Sequence, residues 1–342
     1  MKMDKKKALL YGRRALFLVV LAVLLVYTGA VLERKTVTGA WNYSLKVGGF
    51  KNEPEESFDV IGIGSSHMYC TLNPLAMYDE TGLRGYVLAT QQQPPVASYY
   101  YAKEAFRTQS PDVLIVEGLM FTLSQDTVAE GVAHDAVDPF PNTINKLLMI
   151  HRMDTADGKE NYYLNFLKYH SRWKELTAAD FDFSYKQETD PYRGYVFLTK
   201  AGESSFATIR YDNTEPAELK DENLQILLDM KELAEKNGAR FLILMAPCTM
   251  DEAQQSRFYA LHAFAQENGI ELLDLNVAQE GLELDALTDF YDAGHLNVSG
   301  AEKVSAFLGE YLLEQGLAQT NELDDTHLWE EDLAIYYAAK EQ

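Results

Sequence analysis

Two short stretches far apart in the chain hold the residue types that acyl chemistry uses. Gly64-Ser65-Ser66-His67 closes an apolar run, and Asp292-Ala293-Gly294-His295 comes just before a late helical pattern. A serine hydroxyl becomes a useful nucleophile only when a base takes its proton, and a third group usually orients that base. An Asp-x-x-His turn lets the Asp292 carboxylate meet one imidazole nitrogen of His295 while the other faces a crevice. Taken alone, Gly-Ser-Ser reads as a turn or a helix cap, and a lone His before a helix reads as packing. The two stretches together point to Ser66 as nucleophile, His295 as base and Asp292 as its orienter.

These residues need elements that bring them together. The runs FDVIGIG, GYVLAT, DVLIVEGLMF, ARFLILMAP and IELLDLN are short, branched and continuously apolar, as strands covered on both faces must be. Helical patterns alternate with them: one from Pro95, one ending at Gly238, one over about Asp251 to Asn268, and a last one that Ser299 is expected to cap. Strand and helix in series imply right-handed crossovers and a parallel sheet. The expected fold is therefore a three-layer α/β/α sandwich on a five-stranded parallel sheet. An insertion over about 124–217 interrupts the alternation after the third strand, where ligands of open α/β sheets bind.

Ahead of this domain lies a membrane signal. Residues Ala15 to Leu32 form an uncharged run of 18, and the first 35 residues carry eight Lys/Arg against two acids. A helix of that length reaches about 27 Å, enough to span a bilayer. Positive charge before the span places the N-terminus in the cytosol and the domain outside. The alternative is a signal peptide cleaved near Thr28-Gly29-Ala30. The expected organisation is a basic tail and anchor over 1–35, a stalk over 36–56, the α/β domain over 57–315 and an acidic helix over 316–342.

The formal charge of −22 excludes nucleic acid as the expected partner, since phosphate binding needs clustered Lys and Arg. Cys70 and Cys248 match no metal-ligand spacing and read as buried free thiols, with a disulfide between them as the alternative outside the membrane, and neither a metal nor another cofactor is expected. His67 reads as a solvated residue of the first helical turn, with a catalytic role as the alternative. Glu117, ending a buried strand, is expected to satisfy neighbouring N–H groups. His170, Arg172 and Trp173 read as packing or as the wall of an acceptor groove. Asn42 and Asn297 begin formal glycosylation triplets.

GSSH after the first strand and DAGHLNVSGAEKV before the last helix resemble the SGNH (GDSL-type) hydrolase superfamily over about Phe58 to Gln315. The resemblance implies the SGNH/flavodoxin-like fold and the roles given above to Ser66, Asp292 and His295. The Gly after the second strand and the Asn motif after the third, which complete the oxyanion hole in common members, are replaced here by VLATQQQPP and LIVEGLMF. Ser65, Gln92 and Gln93 are the candidate substitutes. Together with the anchor, this pattern resembles the subgroup that works beside membrane-bound O-acyltransferases, such as the D-alanyl transfer protein of teichoic acid systems and the alginate acetylation proteins. It implies an extracytoplasmic acyltransferase that passes an acyl group to hydroxyls of an envelope polysaccharide. The alternatives are a tethered esterase and a non-catalytic scaffold.

Overall fold

The computed structural model describes residues 5–124, 126–212, 214–317 and 326–341. The first four residues of the basic tail, and 318–325 of the acidic C-terminal segment, lie outside the described residues. The chain forms two units: Met1–Lys35 with Asp157–Ser184, and Thr36–Ala156 with Tyr185–Gln342.

The second, larger unit is built on five parallel strands: β1 Val60–Gly64, β2 Gly85–Ala89, β3 Val113–Glu117, β4 Arg240–Met245 and β5 Glu271–Asp274. Their order is β2-β1-β3-β4-β5, the doubly wound arrangement whose crevice opens beyond the strand C-termini beside β1 and β3. Register aligns Val60 with Gly85 and Val113, and Val113 with Arg240. The apolar runs are continuous because helices cover both faces: every residue of β1, β2 and β3 is buried.

The helices, in chain order, are α1 Lys5–Leu32, α2 Tyr43–Lys46, α3 Ser66–Thr71, α4 Pro74–Thr81, α5 Pro95–Ala105, α6 Glu130–Val137, α7 Ile144–Arg152, α8 Glu160–Tyr163, α9 Asn165–Tyr169, α10 Asp221–Lys236, α11 Glu252–Glu267, α12 Val298–Glu314 and α13 Thr326–Lys340. One layer consists of α3, α4 and α12, with α13 outside on α4. The other holds α5 and α10, with α7 against α5. The expected five-stranded α/β architecture is the one observed.

Residues 36–56 depart from the expectation of a stalk. Tyr43, Leu45, Val47 and Phe50 are buried, and the Phe50 ring meets Tyr86 edge-on at 4.9 Å. The charged and glycine-rich context conceals an aromatic stripe, and burying it folds the segment into the larger unit. At the other end, α13 docks onto the domain through buried Trp329 and Tyr336. Trp329 stacks on Tyr78 at 4.7 Å, and the Tyr336 hydroxyl accepts from Asn73 at 2.9 Å.

In the smaller unit, α1 is long and apolar enough to cross a membrane, and its side chains from Arg13 to Tyr27 are exposed. Its C-terminal turns pack against α9 and 3-10 turns at His170–Lys174 and Ala178–Phe181. The insertion thus divides: 157–184 belongs to this unit and its flanks to the larger one.

Candidate active site

Strand β1 ends at Gly64, where a side chain could not fit. A Cβ there would stand 2.5 Å from the Glu117 Cβ and 2.9 Å from that of Met68. That close approach lets Glu117 reach under the following turn. Ser65 caps α3, its Oγ accepting from the His67 N–H and donating to Glu117 Oε2 at 2.8 Å. The Leu119 N–H donates to Oε1 of the same carboxylate. Burial pushes the Glu117 carboxyl above its usual range, against the pull of these donors. Glu117 thus satisfies neighbouring N–H groups, as expected for a buried strand-end acid.

With Ser65 tied below, Ser66 opens α3 with its hydroxyl free to face outward. Its Oγ lies 2.8 Å from His295 Nε2. His295 Nδ1 lies 2.9 and 3.0 Å from the two Asp292 oxygens. The loop that presents the pair is closed on itself: Asp292 Oδ1 also accepts from Gly294 N–H at 2.8 Å and His295 N–H at 3.0 Å. Burial raises the Asp292 carboxyl, but the Gly294 N–H and His295 outweigh it and hold the group below its usual value.

The helix after this loop is capped by Asn297 rather than by Ser299. The Asn297 side-chain Oδ1 accepts from Ser299 and Gly300 N–H, and its side-chain Nδ2 donates to Thr288 O at 2.8 Å. Asn is as good a cap as Ser, and two residues' difference in start decides between them. Asn297 is 2% exposed, so its glycosylation triplet is inaccessible in the folded chain.

Beside Ser66 and His295 opens a cleft of about 510 Å³. Its walls include Trp41 and Tyr43 from the segment read as a stalk, Tyr69 of α3, Gln91, Asp135 of α6 and Tyr291. The Tyr43 hydroxyl donates to that of Tyr69 at 3.4 Å and accepts from the Gln91 N–H at 3.1 Å. Burial, then the charge of Asp138, pushes the Asp135 carboxyl up to about 6.

Among the oxyanion candidates, the structure separates Ser65, Gln92 and Gln93 from the cleft. Ser65 is committed to Glu117. The buried Gln93 amide is spent on Ser98 and Thr90. Gln92 takes a left-handed backbone (φ 49°) and is exposed away from the lining residues. The neighbouring Gln91 lines the cleft instead. A polar loop of three glutamines carries no local signal saying which one turns inward.

His67 is 8% exposed rather than solvated, its ring 5.2 Å from that of His295. Burial first, then the nearby His295, pushes its pKa down to about 3, so it stays neutral beside His295. His170, Arg172 and Trp173 belong to the smaller unit and do not line the cleft. Cys70 and Cys248 are free and buried, and burial raises both thiols well out of the reactive range. The cleft's missed residues, above all Trp41, Tyr43 and Asp135, carry no motif; only an aromatic stripe in 36–56 could have flagged the first two.

No protein-family model and no curated protein matches the chain. Among solved structures, a Bacteroides fragilis protein described as a candidate acylhydrolase is similar over 78% of this chain and 94% of its own, at 10% identity and a TM-score of 0.37. An acetyl xylan esterase from the rumen bacterium Butyrivibrio proteoclasticus is similar over 77% of this chain, at 9% identity and a TM-score of 0.33. That second likeness spans 65% of the esterase, just under two thirds of its length. At this distance neither neighbour bears on the chemistry, for which the geometry of Ser66, His295 and Asp292 stands by itself.

Proposed function

We propose that the chain is a membrane-anchored, extracytoplasmic serine O-acyltransferase that moves an acyl group through an ester on Ser66 to a carbohydrate hydroxyl of the cell envelope. The observation that carries the reading is the unbroken run of hydrogen bonds from Ser66 Oγ through His295 to Asp292 at the mouth of an open cleft. Ser66 Oγ attacks the acyl carbonyl while His295 Nε2 takes its proton and returns it to the leaving group. An acceptor hydroxyl then gives its proton to His295, attacks the Ser66 ester, and Ser66 recovers its proton as the ester bond to it breaks. Asp292 holds the Nδ1 proton and stabilises the imidazolium in both halves. The Ser66 N–H in the first turn of α3, which lacks an intrahelical partner, and Gln91 at the cleft wall are the donors for the oxyanion.

Three features support transfer to a sugar rather than simple hydrolysis. The cleft is walled by Trp41, Tyr43, Tyr69 and Tyr291, whose ring faces and hydroxyls suit a pyranose. The end of β3 carries Glu117, committed to Ser65, where common hydrolases carry their oxyanion Asn. The C-terminal turns of α1 are built into the smaller unit, with the Tyr27 ring 6.3 Å from Phe183 and the Gly29 carbonyl accepting from Glu33 N–H at 2.8 Å, and a leader cut after Ala30 would remove both contacts. The donor would then be a membrane-bound O-acyltransferase that delivers the acyl group across the bilayer.

The test compares envelope polysaccharide from cells with and without the gene for ester-linked acyl groups. Loss of ester on deletion, restored by the wild type and not by Ser66→Ala, is the expected result. A rise in ester content identifies an esterase. No change, in a polymer shown to carry the ester, favours a scaffold.

A further inference from the structure

The smaller unit carries apolar surface that the catalytic reading does not use. Residues 157–184 pack against the C-terminal turns of α1. The Arg172 guanidinium donates to the carbonyls of Leu32 and Glu33 at 2.6 and 2.8 Å, Asn165 Nδ2 donates to Glu33 at 2.9 Å, and the Phe183 ring lies 6.3 Å from Tyr27. The same segment exposes Tyr163, Leu164, Phe166, Leu167, Trp173 and Phe181, each by 36% to 65%. Six large apolar side chains exposed within 28 residues are more than water favours.

We infer that residues 157–184 form a collar that lies in the lipid interface around the point where α1 leaves the bilayer. The inference rests on reading α1 as a membrane span, and the occupant follows from that continuity. A spanning α1 keeps its exposed apolar residues up to Tyr27 in hydrocarbon, so whatever packs against Tyr27, Leu32 and Glu33 sits at headgroup level. Composition agrees. Aromatic residues interleaved with basic ones are the side chains that settle at this depth, their rings in the boundary and their charges reaching water. Here Lys174 lies over the Trp173 ring at 5.5 Å, and Lys35 over Phe183 at 4.3 Å.

Charge separates the collar from the rest of the exterior chain. Residues 157–184 hold four Lys/Arg against five Asp/Glu, whereas the remainder after residue 35 holds 18 against 45. The strongly acidic remainder would be repelled by an anionic leaflet, and the collar would not. Of its five acids, Asp180 and Asp182 are also occupied internally: Asp180 pairs with Arg172 at 2.8 Å and accepts from Thr177 N–H, and Asp182 accepts from Ser184 N–H.

The experiment uses the full chain reconstituted in phosphatidylcholine and phosphatidylglycerol vesicles whose lipids carry bromine either high or low on the acyl chain. The Trp173 signal is the difference between wild type and Trp173→Phe, and Phe17→Trp reports on α1. Quenching of Trp173 by high bromines, shielding from iodide, and loss of that quenching in Leu164→Glu/Leu167→Glu, with the protein still in the vesicles, are expected. Trp173 open to iodide and untouched by bromine, while Phe17→Trp is quenched by low bromines, overturns the collar and leaves the span standing. Shielding from iodide without bromine quenching overturns it in favour of a protein neighbour. If Phe17→Trp is not quenched either, both the span and the collar fall.

Discussion

Ionisable side chains gather at two places in the larger unit and are held in opposite ways. At the sheet edge, Asp292 and His295 leave 49% and 28% of their side chains exposed and end on a serine hydroxyl in an open cleft. Behind β2, Lys46, Glu53, Asp190 and Arg193 are each 6% exposed or less. There Lys46 pairs with Asp190 at 3.1 Å, and Arg193 pairs with Glu53 and, at 2.6 Å, with Asp332, its guanidinium lying 4.7 Å above Trp329. This clamp joins residues 46–53, the turn at 190–194 and α13. The turn passes so close to β2 that a Cβ on Gly194 (φ +86°) would stand 1.9 Å from the Val87 carbonyl oxygen. Charges that remain near water can change partners and protonation during a reaction. Charges sealed among partners instead fix which segments meet.

The sharpest test of that division removes the Ser66 hydroxyl. Ser66→Ala is expected to abolish labelling by a fluorophosphonate probe and lower acyl transfer by about 10⁴-fold or more, while thermal unfolding stays within about 0.5 kcal/mol of wild type. Asp292→Asn should follow, with a loss of about 10⁴-fold in rate and an unchanged fold by circular dichroism. Retained activity in that variant would make the Asp292 carboxylate a loop cap only.

The clamp should respond the other way. Arg193→Met leaves buried Glu53 and half-buried Asp332 without their guanidinium partner and is expected to lower unfolding free energy by about 3–5 kcal/mol in urea titrations. Its folded fraction should still react with the probe. Between the two regions stands Glu117, buried like the clamp but supporting the site. Glu117→Gln keeps one acceptor oxygen for donors from Ser65 and Leu119, and should cost about 1–3 kcal/mol of stability.

The smallest effect is a difference in the sign of pH dependence. Three clamp carboxylates face two cations, and burial pushes Glu53 up to about 7 and Asp332 up to about 6 despite Arg193. A raised folded pKa means stability that is full below the unfolded value of about 4.3 and lost as pH rises through the folded one. Asp292, depressed on balance, contributes stability above the unfolded value and loses it as pH falls. Urea unfolding should therefore show lower stability at about pH 8 than at about pH 5.5, and Glu53→Gln should flatten the slope. An unchanged slope would show that Glu53 stays ionised throughout.

What the sequence by itself determined are the features that depend on neighbours a few residues away. Continuous branched runs bounded by turns read as two-sided strands, so β1 to β5 and their parallel direction were legible, while the order β2-β1-β3-β4-β5 came from the structure. Asp292 and His295 sit three residues apart, and one turn of loop is enough to pair them. The tertiary structure decided everything that depends on burial between distant segments. It turned Gln91 rather than Gln92 or Gln93 to the cleft and buried His67 beside His295. It also made residues 36–56 a wall of the site rather than a stalk, and set Glu117 under Ser65. The physical reason is that hydrogen-bond geometry and periodicity are local, whereas desolvation is set by which surfaces the whole chain brings together, and no spacing along the chain encodes that.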